Sequence, residues 1–111
     1  MLALAPVLGP GVTAQSLRRI TIPIEIIASR TDELVPFDLN AGRYARLIPH
    51  ARLTVVPEAG HFVYMPVCSE AGRVIATAVC VDSSPSVDRA AVHERAIARA
   101  LDFFGRSLGV R

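Results

Sequence analysis

Two residues of this 111-residue chain combine side chains suited to acid–base chemistry with a spacing that can bring them together. Asp32 follows the apolar segment 22–29, and His61 follows the apolar segment 53–56. If these segments are adjacent parallel strands, the loops after them meet at one edge of the sheet. A carboxylate that accepts a hydrogen bond from one imidazole nitrogen fixes the tautomer of the ring, which leaves the other nitrogen as a general base. The sequence therefore predicts an Asp32–His61 pair.

Each of the two residues also has a purely structural interpretation. Asp32 fits a turn residue that hydrogen-bonds its own backbone, and His61 fits a polar residue in an exposed loop. Their positions after two consecutive predicted strands, with the acid first, favour the paired interpretation.

A βαβ unit is the arrangement that would position this pair. Residues 22–28 are rich in β-branched side chains, with proline only near the start, and predict a strand. Residues 38–48 predict a helix with Asp38 as its N-cap and Pro49 as its stop, and residues 53–56 predict the next strand. The whole unit takes about 30 residues, as a parallel βαβ crossover requires.

The flanking segments complete an α/β prediction. Residues 2–8 predict a strand that ends in a Gly-Pro-Gly turn, and residues 14–19 predict one or two helical turns. Residues 74–81 predict either a strand or a buried loop. Ser84-Pro85 predicts a helix start with proline at the first position, and residues 87–108 predict a long amphipathic helix. The face expected to pack on the sheet carries His93, Ile97, Ala100, Leu101, Phe104 and Leu108.

Length and charge narrow the class of protein. A chain of 111 residues that is 51% hydrophobic predicts a single globular domain over residues 1–111. The net charge of +2 is spread along the chain, which argues against nucleic-acid binding. The sequence lacks the apolar run of a membrane span and the basic start of a signal peptide, so a cytoplasmic location is expected.

Two motifs and their surroundings resemble the last third of an α/β-hydrolase. They are the strand 22–28 followed by Asp-Glu-Leu-Val-Pro at 32–36, and the segment 48–53 followed by Ala-Gly-His-Phe at 59–62. More narrowly, the chain resembles the dienelactone-hydrolase-like group related to platelet-activating-factor acetylhydrolases, through Asn40, Cys68, Cys80, Asp82, residues 87–93, Phe103 and Phe104. The resemblance implies a partial α/β-hydrolase fold with parallel strands, flanking helices and a long C-terminal helix. It also implies that Asp32 is the acid and His61 the base of a catalytic triad.

The resemblance also implies that the nucleophile precedes the acid in the chain. We therefore expect residues 1–111 to be the carboxyl-terminal piece of a carboxylic ester or lactone hydrolase, without the nucleophile elbow and inactive alone. The motif G-x-S-x-G does occur at 105–109, but a nucleophile elbow needs a strand before the serine and a helix after it. Ser107 lies in the last turn of a predicted helix, with a helix rather than a strand before it, so we do not expect it to be the nucleophile.

The remaining chemically active side chains have structural interpretations. Cys68 and Cys80 fit either two buried thiols or a disulfide. Buried thiols are expected in a cytosolic protein, whereas the disulfide stays open because members of the resembling family are often exported. His93 fits a packing histidine with a hydrogen-bonded ring, and His50 fits a surface residue. The apolar side chains that follow His61 fit core residues better than the lining of an acyl pocket; they are Phe62, Tyr64 and Met65.

Two further hypotheses remain beside the hydrolase. The chain could be a non-catalytic interaction module that assembles through an exposed sheet edge, pairing with another copy or with a separate amino-terminal piece. It could also sense redox state through its cysteine pair. The hydrolase interpretation implies a small ester or lactone substrate, and no residue pattern predicts a cofactor or a metal ion.

Overall fold

The computed structural model describes residues 1–109 and has a three-stranded parallel sheet flanked by helices. The strands are β1 (Leu2–Leu4), β2 (Ile24–Ser29) and β3 (Ala51–Val56), in the order β1-β2-β3. The helices are α1 (Ala14–Arg18), α2 (Ala41–Leu47), α3 (Glu70–Ile75), α4 (Thr77–Cys80) and the long α5 (Arg89–Leu108). The predicted α/β class with a long C-terminal helix is confirmed.

The central strand β2 is buried along its whole length because helices cover both faces of the sheet. On one face Ile24, Ile26 and Ala28 pack with α1 and α2. On the other face Ile27 packs with Val56 and with Val92 of α5. The register pairs Ile26 with Leu53 and Ser29 with Val56, so β2 and β3 end side by side. That register sets the distance between the loops that carry Asp32 and His61.

Two predicted elements begin or end elsewhere. The first strand stops at Leu4 rather than Leu8, because Ala5 turns the chain with φ of 43°. The predicted helix 38–48 divides into a 3-10 turn, Phe37–Leu39, and α2. Asp38 is therefore not the N-cap; Asn40 stands there, but its side chain accepts a hydrogen bond from the Gly9 amide at 2.9 Å. Gly9 approaches so closely that an added Cβ would lie 1.9 Å from the Leu39 carbonyl oxygen.

The segment after β3 corrects the other predictions. Residues 74–81 form neither a strand nor a buried loop, since Val74 and Ile75 end α3 and residues 77–80 form α4. Val74 and Ile75 are 81% and 85% exposed. Cys68 and Cys80 form a disulfide that spans these helices, which is the second of the two predicted alternatives. Helix α5 begins after Asp88, whose side chain accepts a hydrogen bond from the Ala91 amide, and not at Pro85.

The predicted packing face of α5 is wrong for four of its six residues. The residues of α5 that face the core are Arg89, Val92 and Phe103, with Ala96 packed beside them. Ile97 and Leu101 are instead 59% and 70% exposed, and Phe104 and Leu108 are exposed with them.

Among residues 1–109, no helix is long and apolar enough to cross a membrane.

Candidate active site

The structure places Asp32 and His61 within hydrogen-bonding distance. Asp32 lies in the loop after β2, and His61 begins a 3-10 turn, His61–Tyr64, in the loop after β3. The distance from His61 Nδ1 to Asp32 Oδ2 is 2.8 Å. The carboxylate side chain is 2% exposed and the imidazole is 26% exposed, so the pair has a buried acid and a ring that reaches solvent.

Backbone amides hold the Asp32 carboxylate in place. Its Oδ1 accepts hydrogen bonds from the amides of Leu34 at 3.0 Å and Val35 at 2.7 Å. This is the turn that the structural interpretation of Asp32 predicted, and it coexists with the contact to His61. One oxygen is thus fixed by its own loop while the other remains available to the imidazole. The turn fixes the orientation of the carboxylate toward β3.

Side chains outside the predicted pair join the two loops. The Thr31 hydroxyl donates to the Ala59 carbonyl at 3.2 Å, directly linking the loop after β2 to the loop after β3. The Glu33 carboxylate packs against Gly60, where an added Cβ would lie 2.9 Å from Oε2. The sequence pattern singles out neither residue, although each is next to Asp32 and therefore in a position to touch the neighbouring loop.

Helix α5 supports the turn that carries His61. His93 Nε2 lies 2.8 Å from the Val63 carbonyl oxygen, so the ring donates this hydrogen bond. The prediction that His93 is a packing histidine with a hydrogen-bonded ring is confirmed. His50 is exposed at the opposite end of β3 and is not part of the pair. Ser107 lies near that same end, on α5, so the structure does not bring it to His61.

The geometry assigns opposite roles to the two imidazole nitrogens. A carboxylate oxygen only accepts, so Nδ1 carries a proton and the neutral ring has its lone pair on Nε2. Among the described residues, Nε2 makes no hydrogen bond. A ring in this state can take a proton from a hydroxyl or a water placed at Nε2.

We predict that the hydrogen bond to Asp32 holds His61 as the Nδ1–H tautomer. Asp32→Ala should reverse this preference, because no acceptor then holds a proton on Nδ1. Long-range ¹H–¹⁵N spectra distinguish the two tautomers. His93 is the internal control, since its hydrogen bond to Val63 requires the Nε2–H form in both proteins. An Nε2–H tautomer of His61 in the unmodified protein would contradict the geometry.

Tyr64 ends the 3-10 turn that begins with His61, and its environment changes its pKa. Burial raises the pKa of Tyr64 above 10.0; a hydrogen bond with Ser29 lowers it, and the charge of Asp32 raises it again. The Tyr64 and Ser29 hydroxyl oxygens lie 3.4 Å apart. The phenol therefore stays protonated to higher pH in the folded chain than in the unfolded chain.

This shift predicts alkaline destabilisation. The stabilising contribution is fully present below the unfolded-state pKa of about 10 and is lost as the pH rises through the folded-state pKa of Tyr64. Urea unfolding between about pH 9 and pH 11 should give a steeper fall in the free energy of unfolding for the unmodified protein than for Tyr64→Phe. Equal slopes in the two proteins would exclude this origin.

The fold and the site together define a parallel α/β unit with an Asp–His pair at the carboxyl ends of two adjacent strands. No model of a protein family matches the chain, and no curated protein matches it. The chain is similar in part to a solved structure, MGS-MChE2, an α/β hydrolase enzyme from the metagenome of sediments from the lagoon of Mar Chica, Morocco. The identity is 26%, the match covers 58% of this chain and 29% of that chain, and the TM-score is 0.43.

The residues that could bind a metal do not gather anywhere in the described chain. Within residues 1–109, no three side chains of His, Cys, Asp or Glu are close enough together to hold an ion.

Proposed function

We propose that residues 1–111 provide the acid and the base of a hydrolase site that cleaves carboxylic esters or lactones. Asp32 orients His61. His61 Nε2 removes the proton from an attacking hydroxyl, gives it to the leaving alkoxide, and then removes a proton from the water that releases the acyl group. The 2.8 Å contact between His61 Nδ1 and Asp32 Oδ2 is the observation that carries the proposal. The resemblance of residues 32–36 and 59–62 to the dienelactone-hydrolase-like group supports the same assignment.

The nucleophile of this reaction lies outside residues 1–111. Among the described residues, no serine hydroxyl is hydrogen-bonded to His61, and the two cysteines are consumed in a disulfide. Ser107 sits at the end of a helix rather than on a strand-to-helix turn, so it lacks the geometry of a nucleophile elbow. A positioned base without a nucleophile or an oxyanion hole forms no acyl-enzyme.

An ester-hydrolysis assay tests whether residues 1–111 supply the acid and the base without the nucleophile. The 111-residue chain is expected to give no burst and no sustained turnover of p-nitrophenyl acetate, and His61→Ala should be indistinguishable from it. His61-dependent turnover by the chain alone would overturn the statement that the nucleophile lies elsewhere.

A longer protein that carries residues 1–111 after a G-x-S-x-G motif provides the positive test, and it should hydrolyse the ester. His61→Ala and Asp32→Ala should then reduce kcat by about 10²- to 10⁴-fold, because general-base catalysis has this magnitude. His50→Ala is the matched control and should leave the rate unchanged, since His50 lies at the other end of the sheet. An active longer protein that is indifferent to His61 would contradict the proposal.

A second candidate function is assembly through the free edge of β1. Among the described residues, β1 pairs with β2 on one side only, and Leu4 is exposed beside that edge. An apolar hollow of about 240 Å³ lies beside β1, and Ala3, Leu17 and Ile20 are among the residues that line it. Unpaired strand edges are templates for pairing with another chain. Sedimentation at micromolar concentration discriminates, because a clean monomer would argue against self-assembly.

A further inference from the structure

A cavity of about 540 Å³ lies at the end of the sheet opposite to the Asp32–His61 pair. We call it the basal cavity. Its walls come from the residues that begin β2 and β3 and from the last turn of α5. Binding sites for small molecules usually have volumes of roughly 300 to 1,000 Å³ and combine an apolar wall with a few polar groups. The basal cavity has this size, is open to solvent, and has about as much polar as apolar surface.

The polar side of the basal cavity consists of hydrogen-bond donors. It is formed by His50, Arg52, Arg106 and Ser107, and no carboxylate lines the cavity. Within residues 1–109, the side chains of His50, Arg52 and Ser107 make no hydrogen bond. Two guanidinium groups that are always charged therefore face a cavity without an acidic partner inside it.

Of the two cavity arginines, Arg106 already pairs with a carboxylate, which would compete with an anionic ligand. Its Nη1 forms an i,i+4 ion pair with Asp102, which is on the same helix but is not part of the cavity wall. Both side chains are about half exposed, so this pair is weak and leaves the other guanidinium donors free.

The apolar side of the basal cavity is built from prolines and core residues. Its solvent-accessible apolar surface comes from the exposed Pro23 and Pro49, and the buried side chains of Ile24 and Phe103 lie behind them. A bare inorganic anion would leave this wall in contact with water. A ligand with an apolar body and an anionic head would cover the wall and place its charge between Arg52 and Arg106.

We propose that the basal cavity binds a small organic anion, namely a carboxylate or a phosphate monoester on an aromatic or aliphatic body. The inference goes beyond the proposed function, because it uses none of the residues around Asp32 and His61. A negative result in the ester-hydrolysis assay would therefore leave this inference unaffected, and a negative result here would leave the proposed function unaffected.

Titrations followed by ¹H–¹⁵N spectra of the 111-residue chain test the class of ligand. Benzoate and phenyl phosphate should shift the amide signals of Arg52 and Phe103 saturably, and comparison of the two tells which anionic head is preferred. Benzyl alcohol has the same body without the charge, and acetate has the charge without the body, so both should bind more weakly. Absence of a saturable shift with either aromatic anion overturns the proposal.

Charge variants test the location. Arg52→Ala should weaken binding of the better anion about 3- to 5-fold, as expected for one exposed charge–charge contact. Arg73→Ala is the matched control, because Arg73 is exposed on α3 and does not line the basal cavity. Asp102→Asn should strengthen binding, since it releases Arg106 from its ion pair. Equal weakening by Arg52→Ala and Arg73→Ala, or no change in both Arg52→Ala and Asp102→Asn, overturns the assignment.

Discussion

Replacing Arg89 with alanine is expected to lower the free energy of unfolding by about 3–5 kcal/mol, the cost of removing one partner of a buried ion pair. Arg89 is buried in the first turn of α5. Its Nε and Nη2 donate to the two carboxylate oxygens of Asp82 at 2.8 Å and 3.1 Å. It also donates to the carbonyls of Val79 at 2.6 Å and Pro66 at 3.4 Å. The alanine variant leaves a mostly buried carboxylate and two carbonyls without their donor.

Urea unfolding with two further variants isolates the ion pair. Arg99→Ala removes an exposed arginine of the same helix and should change the free energy of unfolding by no more than about 0.5 kcal/mol. The double variant Arg89→Ala with Asp82→Ala should cost less than the sum of the two single variants, because no unpaired charge is left. Additive single effects, or an equal loss in Arg99→Ala, would show that the ion pair is not the cause.

The contacts of Arg89 connect this stability to the candidate site. Pro66 comes shortly after the turn that carries His61, and Val63 within that turn is bound by His93. The first two turns of α5 therefore fix the turn that carries His61. Asp32 is held from the other side by its own loop, and Thr31 joins the two loops. The Asp32–His61 distance thus depends on side chains from three separate parts of the chain.

The sequence predicted those parts of the fold whose cause is local. The β-branched run at 22–28, the stop at Pro49 and the apolar segment at 53–56 each act over a few residues, and all three elements formed near the predicted positions. The Asp32–His61 contact was predictable because parallel strands bring their following loops together, whatever the details of the loops. Thr31 and Glu33 were not singled out, because a hydroxyl or carboxylate in a turn has many structural uses.

The packing of α5 could not be read from its periodicity. Ile97, Leu101 and Phe104 form the strongest apolar stripe, yet the sheet contacts the line that runs through Val92, Ala96 and Phe103. That line includes a buried arginine, which looks polar in a pattern and is buried only because Asp82 and two carbonyls surround it. A contact made by residues distant in sequence overrode the local amphipathic signal.

The prediction for the segment 74–81 is wrong for a related reason. Its run of apolar and β-branched residues favours a strand or a buried loop, but Ser69 caps a helix by accepting a hydrogen bond from the Gly72 amide. The disulfide then joins Cys68, just before α3, to Cys80 at the end of α4, so both helices stay folded although Val74 and Ile75 have little core contact. A cross-link can replace burial as the source of order in a short segment.

Removal of that cross-link is expected to cost about 3 kcal/mol, because the Cys68–Cys80 bond closes a loop of 12 residues in the unfolded chain. The double variant Cys68→Ser with Cys80→Ser should show this loss in urea unfolding. The unmodified protein in a thiol reductant should lose the same amount, and the reductant should not change the variant further. An unfolding curve that ignores reductant would contradict a stabilising disulfide.

The same experiment discriminates between a structural and a regulatory cross-link. His61 is held by α5 and by Asp32 rather than by the cross-linked segment, so its Nδ1–H tautomer should persist after reduction. Loss of that tautomer on reduction would instead support the redox-sensing hypothesis.

Disulfides persist in oxidising compartments, whereas the sequence predicted a cytoplasmic location, and the two expectations conflict. Titration of free thiols in the protein isolated from its own cells, with thiols blocked at lysis, decides between them: no free thiol places the chain in an oxidising compartment, and two free thiols support the cytoplasm.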